Sequence, residues 1–259
     1  MTSRNVPGAI NRLNLFFAVG ALLGPLWAGA ILATAGERWA VFSGIAAAAG
    51  VALAVLLAAG APIHERIVGG DEGFRLPGNP TAWIMGAVLF LYVGAEFGLG
   101  SWVSAYARES ADAGVFEGAL LTAGYWGALL CGRLISGAWF ARDRDAIVLL
   151  GVSVAGACIA SLLLALTTGN IGASAVAAFA AGLCLGPVWP ATIAIASEGS
   201  EPHATAAAVT MGNAGGVAIP WLQGKVLVGA GPAEGVLVTA ALCAVMFAIV
   251  VGFRLRRTG

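Results

Sequence analysis

The stretch Gly20-Ala-Leu-Leu-Gly-Pro-Leu-Trp-Ala-Gly-Ala-Ile-Leu-Ala-Thr-Ala-Gly36 is partly echoed, without a gap, by Gly215-Gly-Val-Ala-Ile-Pro-Trp-Leu-Gln-Gly-Lys-Val-Leu-Val-Gly-Ala-Gly231. Gly20, Pro25, Gly29, Leu32, Ala35 and Gly36 become Gly215, Pro220, Gly224, Leu227, Ala230 and Gly231, all at one constant offset. With 38 glycines among 259 residues a glycine match carries little weight. The match of Pro25 to Pro220, inside similarly apolar segments, carries most of it and points to a repeated helical unit.

The surroundings of both copies fix the class. With 59% hydrophobic and 10% charged residues and a mean hydropathy of +0.91, there is too little polar surface to cover a soluble domain. A spanning helix needs about 20 mostly apolar residues. Eight stretches supply them: Leu13–Thr34, Trp39–Ala59, Ala82–Tyr106, Gly118–Phe140, Ala146–Thr167, Ala173–Ala196, Ala204–Val226 and Gly235–Phe253. The alternating strands of a membrane barrel are absent, and helices that satisfy their own backbone are the remaining solution in lipid. The expectation is an all-α polytopic membrane protein with eight transmembrane helices.

The first span is too long for a signal-peptide core and is followed by seven more, so it reads as retained. Cys131, Cys158, Cys184 and Cys243 lie inside spans without metal-ligand spacing and read as packing thiols. No metal or cofactor is expected. A net charge of zero provides no basic face for nucleic acid. With a cytoplasmic N-terminus, the inner segments hold Arg4, Arg12, Arg66, Arg75, Arg142, Arg144, Arg254, Arg256 and Arg257, against Arg38 and Arg108 outside. This imbalance puts both termini in the cytoplasm, with a bacterial inner membrane as the expected location.

The two copies of the repeat occupy the first and seventh spans, and an even separation makes them cross in the same direction. A period of six with eight spans present gives the last two helices of one unit (residues 1–60) and a complete second unit (residues 82–259). Roughly four helices of the first unit have no counterpart. Between the units, residues 61–81 form the longest polar stretch, with Pro62, Gly69, Gly70, Pro77 and Pro80 among His64, Glu65, Arg66, Asp71, Glu72 and Arg75. This reads as a cytoplasmic linker.

Several segments carry a family likeness: Asn14-Leu-Phe-Phe-Ala-Val-Gly-Ala-Leu-Leu-Gly-Pro25, Tyr92-Val-Gly-Ala-Glu-Phe-Gly-Leu-Gly-Ser-Trp102, Gly132-Arg133, Gly186-Pro-Val-Trp-Pro190 and Gly212-Asn-Ala-Gly-Gly-Val-Ala-Ile-Pro220. On these the chain resembles helices five to twelve of major facilitator superfamily transporters of the fucose-permease-like or general sugar-transporter type. The resemblance implies a partial major-facilitator fold, two six-helix halves related by an axis along the membrane normal, and transport by alternating access. The first-half acidic residues that often couple protons in that family have no counterpart here.

Glu96 is the most pointed residue for chemistry. A carboxylate in mid-span costs about 2.5–3.5 kcal/mol on insertion scales, so it faces a cavity or a partner, and here it is the candidate proton carrier. Gly94, Gly98 and Gly100 around it suggest local unwinding of the helix, as at transporter ligand sites. Tyr92 lies one turn earlier on the same face. Tyr125, Trp126 and Trp189 are candidate aromatic faces for a solute. Pro187 and Pro190 flank Trp189 and predict a broken helix that lines a cavity. Trp102 and Tyr106 read as interfacial belt residues. Asn213, among small residues, is either a ligand contact or interhelical glue. Lys225 reads as a snorkelling anchor. Arg133, Arg142 and Asp143 form a candidate gate, with Asp145 as a further partner of Arg133, although a plain positive-inside loop explains Arg142 and Arg144 equally well. Spans two, five and eight lack central charges and are expected to face lipid.

An intramembrane enzyme is excluded by the histidines, since His64 and His203 both read as loop residues. The reading is a secondary active transporter, or part of one, for a small polar solute such as a sugar, coupled to protons through Glu96. The alternative is a non-transporting remnant or half-transporter that pairs with a separate N-terminal half. The partners implied are the solute and the bilayer.

Overall fold

In the computed structural model, residues 6–34, 38–58, 78–198 and 202–258 are described, and they are almost entirely helical. The helices are α1 (Val6–Thr34), α2 (Arg38–Ala58), α3 (Pro80–Ala111), α4 (Val115–Phe140), α5 (Ala146–Leu166), α6 (Ile171–Leu185), α7 (Val188–Ser197), α8 (Pro202–Gly229) and α9 (Pro232–Thr258). Residues 59–77, which hold most of the expected linker and His64, lie outside the described residues. His203, expected in a loop, falls in the first turn of α8.

Among the described residues, five segments are long and apolar enough to cross a membrane: α3, α4, α5, α6 with α7, and α9. Within α1 and α2 the described residues include the apolar helical pieces Gly20–Thr34 and Phe42–Leu53. The helix α8 is not among the five. Its apolar content is diluted by Asn213, Gln223, Lys225 and its glycines, and it is held by packing on α3.

The helix starts follow from local chemistry. Asn79 caps α3 by accepting from the Thr81 N–H, and Pro80 sits at the first position, where no N–H is needed. That cap moves the start from the expected Ala82. At the other end α3 runs past Tyr106 through the polar Arg108, Glu109 and Ser110 to a left-handed cap at Asp112. Asp145 caps α5 and Asn170 caps α6 in the same side-chain manner.

The helix α3 is the hub, packed against α4, α7, α8 and α9. It runs parallel to α8 in a steady register: Gly86 meets Met211, Phe90 meets Gly215, Gly94 meets Ile219 and Gly98 meets Gln223. The glycines are therefore packing positions. The expected unwinding around Glu96 does not occur, because the space left by Gly94, Gly98 and Gly100 is filled by Ile219, Gln223 and Trp126, and α3 stays a continuous helix. Antiparallel α5 and α9 pack together, with Gly151 beside Val250 and Cys158 bonded to the Ala240 carbonyl. Phe42 and Val51 on α2, Val152 and Ile159 on α5 and Val245 on α9 are exposed, as are Leu134 on α4, Val176 on α6 and Val217 on α8.

Two expected belt residues turn out to be internal. Tyr106 is fully buried and donates at 2.5 Å to the Leu164 carbonyl, which also accepts from Thr167 at the end of α5. Trp102 is half-buried, and its indole N–H donates to the Pro220 carbonyl at 2.7 Å, joining α3 to α8. Tyr106→Phe is expected to lower stability by about 1 kcal/mol, read as a fall in the thermal unfolding midpoint in detergent.

Candidate functional site

Pro187 has no N–H to give to Leu183, four residues earlier, and its ring crowds that carbonyl, so the helix stops at Leu185 and restarts at Val188. The gap is where α4 comes closest. Gly132 lies against the Leu183 carbonyl, and Gly186 lies against the Leu129 carbonyl, Gly132 Cα and the Arg133 backbone N. With no Cβ on either glycine, the two backbones touch, and Arg133 is seated beside the break.

From that seat Arg133 reaches α3. Antiparallel α3 and α4 bring Ser104 to Gly118, Gly100 to Trp126 and, deeper, Glu96 to Arg133, whose Nη2 lies 2.7 Å from Glu96 Oε1. The Glu96 side chain is 2% exposed and that of Arg133 17%. Tyr125 donates its hydroxyl to the Glu96 carbonyl at 2.9 Å, and Ser136 donates to the Arg133 carbonyl at 2.6 Å. The hydroxyl of Tyr92, fully buried, lies close to both charges but makes no hydrogen bond of good geometry to the described residues, and neither does Arg133 Nε.

Aromatic rings surround the pair. Tyr92 and Trp189 lie 6.4 Å apart at 51°. Tyr125 and Trp126 meet edge-on at 5.4 Å, and Phe97 meets Trp126 at 5.8 Å. Trp189, second residue after the break, remains half-buried.

Of the residues expected from sequence, Tyr92, Glu96, Tyr125, Trp126, Arg133 and Trp189 gather in one cluster. Asn213 is not part of it: it lies on the exposed side of α8, while Gly212, Gly215, Ile219 and Gln223 face α3. Arg133 was expected to join Asp143 or Asp145, but its partner is Glu96. Asp145 is occupied in capping α5, and Arg142 bonds back to the Ala138 carbonyl. Asp143 takes a left-handed turn position with φ 51°. Lys225 is exposed and lies 5.8 Å over the Trp221 ring.

The pairing itself was missed, although a signal existed. Arg133 lies two turns inside its span and needs a counter-ion. Glu96 and Arg133 are similarly distant in sequence from the Asp112–Gly114 loop, so antiparallel helices put them at one depth. Nothing in the sequence marked Gln223, near the outer end of α8, as internal. It is fully buried against Gly98, with its Nε2 unpartnered among the described residues.

The family model described as Major Facilitator Superfamily matches residues 1–220. The yeast protein called Bypass of stop codon protein 6, from Saccharomyces cerevisiae, is 28% identical over 188 residues, covering 68% of this chain and 37% of that protein. The crystal structure of a substituted form of the E. coli fucose:proton symporter FucP matches with a TM-score of 0.58 at 18% identity, over 66% of this chain and 42% of that one. The chain thus spans less than half the length of either. The second likeness concerns the fold alone.

Proposed function

Because the chain belongs to the Major Facilitator Superfamily, a family of membrane transporters and not of enzymes, we propose that it is a secondary active transporter, or the main part of one, for a small polar solute of the sugar class. Protons drive it through Glu96, and the solute moves by alternating access. The observation that carries this reading is the Glu96–Arg133 pair at mid-span, with buried, poorly bonded polar atoms beside it and aromatic rings around it. An ion pair in the membrane interior is costly to form and offers little net stability over apolar packing, which makes a role in transport the better account of it.

In this reading Tyr92, Tyr125, Trp126 and Trp189 contact the solute. Arg133 gates through its pairing with Glu96. The first helices, 1–60, belong to one half and residues 82–259 to the other, joined by a cytoplasmic linker. The likeness to a fucose:proton symporter supports the fold on which this rests. A second reading is favoured by one observation: spanning under half the length of either relative, these helices pair with a separate N-terminal half before they transport.

Proteoliposomes carrying the chain, with a pH-sensitive dye inside, test the function. With an inward proton gradient, addition of monosaccharides or their acids is expected to acidify the lumen, and Glu96→Gln to abolish the solute-dependent part. Acidification by Glu96→Gln at the wild-type rate sinks the coupling role. If the wild type acidifies only when a first half is co-reconstituted, the second reading replaces the first.

The topology has its own test. A thiol introduced as Arg144→Cys, in a background cleared of the four native cysteines, is expected to resist an impermeant maleimide added to intact bacterial cells and to react after permeabilisation. Labelling from outside reverses the assignment of the termini to a bacterial cytoplasm.

A further inference from the structure

The cluster around Arg133 restricts the solute further than polarity alone. Arg133 is the more open member of the pair, 17% exposed against 2% for Glu96, so an incoming group reaches the guanidinium before the carboxylate. Beside them, Tyr92 Oη and Arg133 Nε are buried and make no hydrogen bond of good geometry to the described residues. Such groups are costly to leave unmade.

We propose that the solute carries a carboxylate as well as hydroxyl groups, as a sugar acid does, and that its acid group replaces Glu96 as the partner of Arg133 while Glu96 takes up a proton. This rests on the transporter reading given above and narrows its substrate class.

The argument is one of charge balance. As built, the charges of Glu96 and Arg133 cancel. A proton on Glu96 alone removes the negative charge and strands a buried guanidinium, which burial strongly disfavours. A neutral polyol brings nothing to offset that. A carboxylate does: the guanidinium keeps a planar two-oxygen partner that its fork of donors matches, and the site stays neutral overall. The proton is a hydronium proton of the aqueous phase, supplied by the gradient, and goes onto the carboxylate that Arg133 releases.

The rest of the cluster suits the remainder of such a molecule. Tyr92 Oη both donates and accepts, so it serves a hydroxyl group. The exposed part of Trp189, whose ring lies 6.4 Å from that of Tyr92, offers an apolar face to a carbon chain or ring. Among the described residues no second counter-ion competes. Tyr92 on α3 and Arg133 and Tyr125 on α4 are the charged or titratable groups that act on Glu96 or its helix, α7 brings Trp189, and α9 brings only the Cys243 thiol behind Tyr125.

Calorimetric titration of the purified full chain in detergent, in two buffers of different ionisation enthalpy, tests the proposal with gluconate and glucose as probes. Gluconate is expected to bind with uptake of about one proton, and so about tenfold more weakly for each pH unit across which that proton must be supplied. Glucose should bind at least about tenfold more weakly. Glu96→Gln should bind gluconate without proton uptake and with a flat pH profile, and Arg133→Met should not bind it. Since both variants disturb a buried pair, Tyr92→Phe supplies a measurement that leaves the pair intact: gluconate binding should weaken roughly tenfold with proton uptake unchanged. Equal affinity for glucose and gluconate, or gluconate binding without proton uptake in the wild type, overturns the proposal and leaves the transporter reading in place. Binding of neither probe, with no solute-driven acidification in proteoliposomes, removes both.

Discussion

Arg133→Met is expected to destabilise the folded chain by about 3–5 kcal/mol, because it leaves the Glu96 carboxylate buried without its counter-ion. Glu96 is 2% exposed and its Oε1 lies 2.7 Å from Arg133 Nη2, so water cannot take over from the lost partner without opening the α3–α4 interface. Glu96→Gln strands the opposite charge, although the 17% exposure of Arg133 makes it the milder of the two. The informative variant is the double, Glu96→Gln with Arg133→Met. It removes both charges together and should recover most of the lost stability, giving a coupling energy well outside the range for independent sites. Unfolding of the purified chain in mixed detergent, followed by tryptophan fluorescence, measures all three. If the single and double variants simply add, Glu96 and Arg133 are not partners in the folded protein and the site described above does not exist.

The contrast between what residue patterns disclose and what they leave hidden follows from range. The helical class is written in runs of apolar residues, a local property, so the spans Gly118–Phe140 and Ala146–Thr167 correspond closely to α4 and α5. The break near Trp189 was equally legible, because Pro187 acts on a carbonyl only four residues away. By contrast, which charge meets Arg133 depends on how α3 and α4 lie side by side. The nearest acidic residues in sequence, Asp143 and Asp145, are therefore the wrong place to look: Asp145 has a backbone N–H to cap, while Glu96 has nothing nearby in sequence to offset its burial. The glycines of α3 misled for the same reason. Read alone, Gly94, Gly98 and Gly100 weaken a helix. In the fold each is matched by a side chain from another element, Ile219, Gln223 or Trp126, that needs the room. Tyr106 and Trp102 were read by depth, as belt residues, whereas their polar atoms go to the carbonyls of Leu164 and Pro220.

Gly186→Val is expected to cost about 3 kcal/mol, the upper end of the range for overpacking, and to disable the site without touching any residue in it. The backbone of Gly186 is in an ordinary right-handed conformation, so conformational freedom is not the reason for glycine here. The reason is space: a Cβ at this position meets the Leu129 carbonyl, Gly132 Cα and the Arg133 backbone N, all of them main-chain atoms that cannot rotate aside. The α6–α7 break must then move away from α4, and the displaced contact includes the residue that carries the guanidinium. A shift of even one ångström at Arg133 lengthens a 2.7 Å ion pair beyond hydrogen-bond reach. Gly137→Ala, in α4 one turn beyond Arg133 and with open space around it, serves as the control and should be neutral or stabilising by up to about 1 kcal/mol. The measurements are the unfolding midpoint and solute-dependent acidification, taken together. Loss of both in Gly186→Val, with both retained in Gly137→Ala, ties the break to the ion pair; a Gly186→Val protein as stable as the wild type means that α4 does not approach the break at backbone distance.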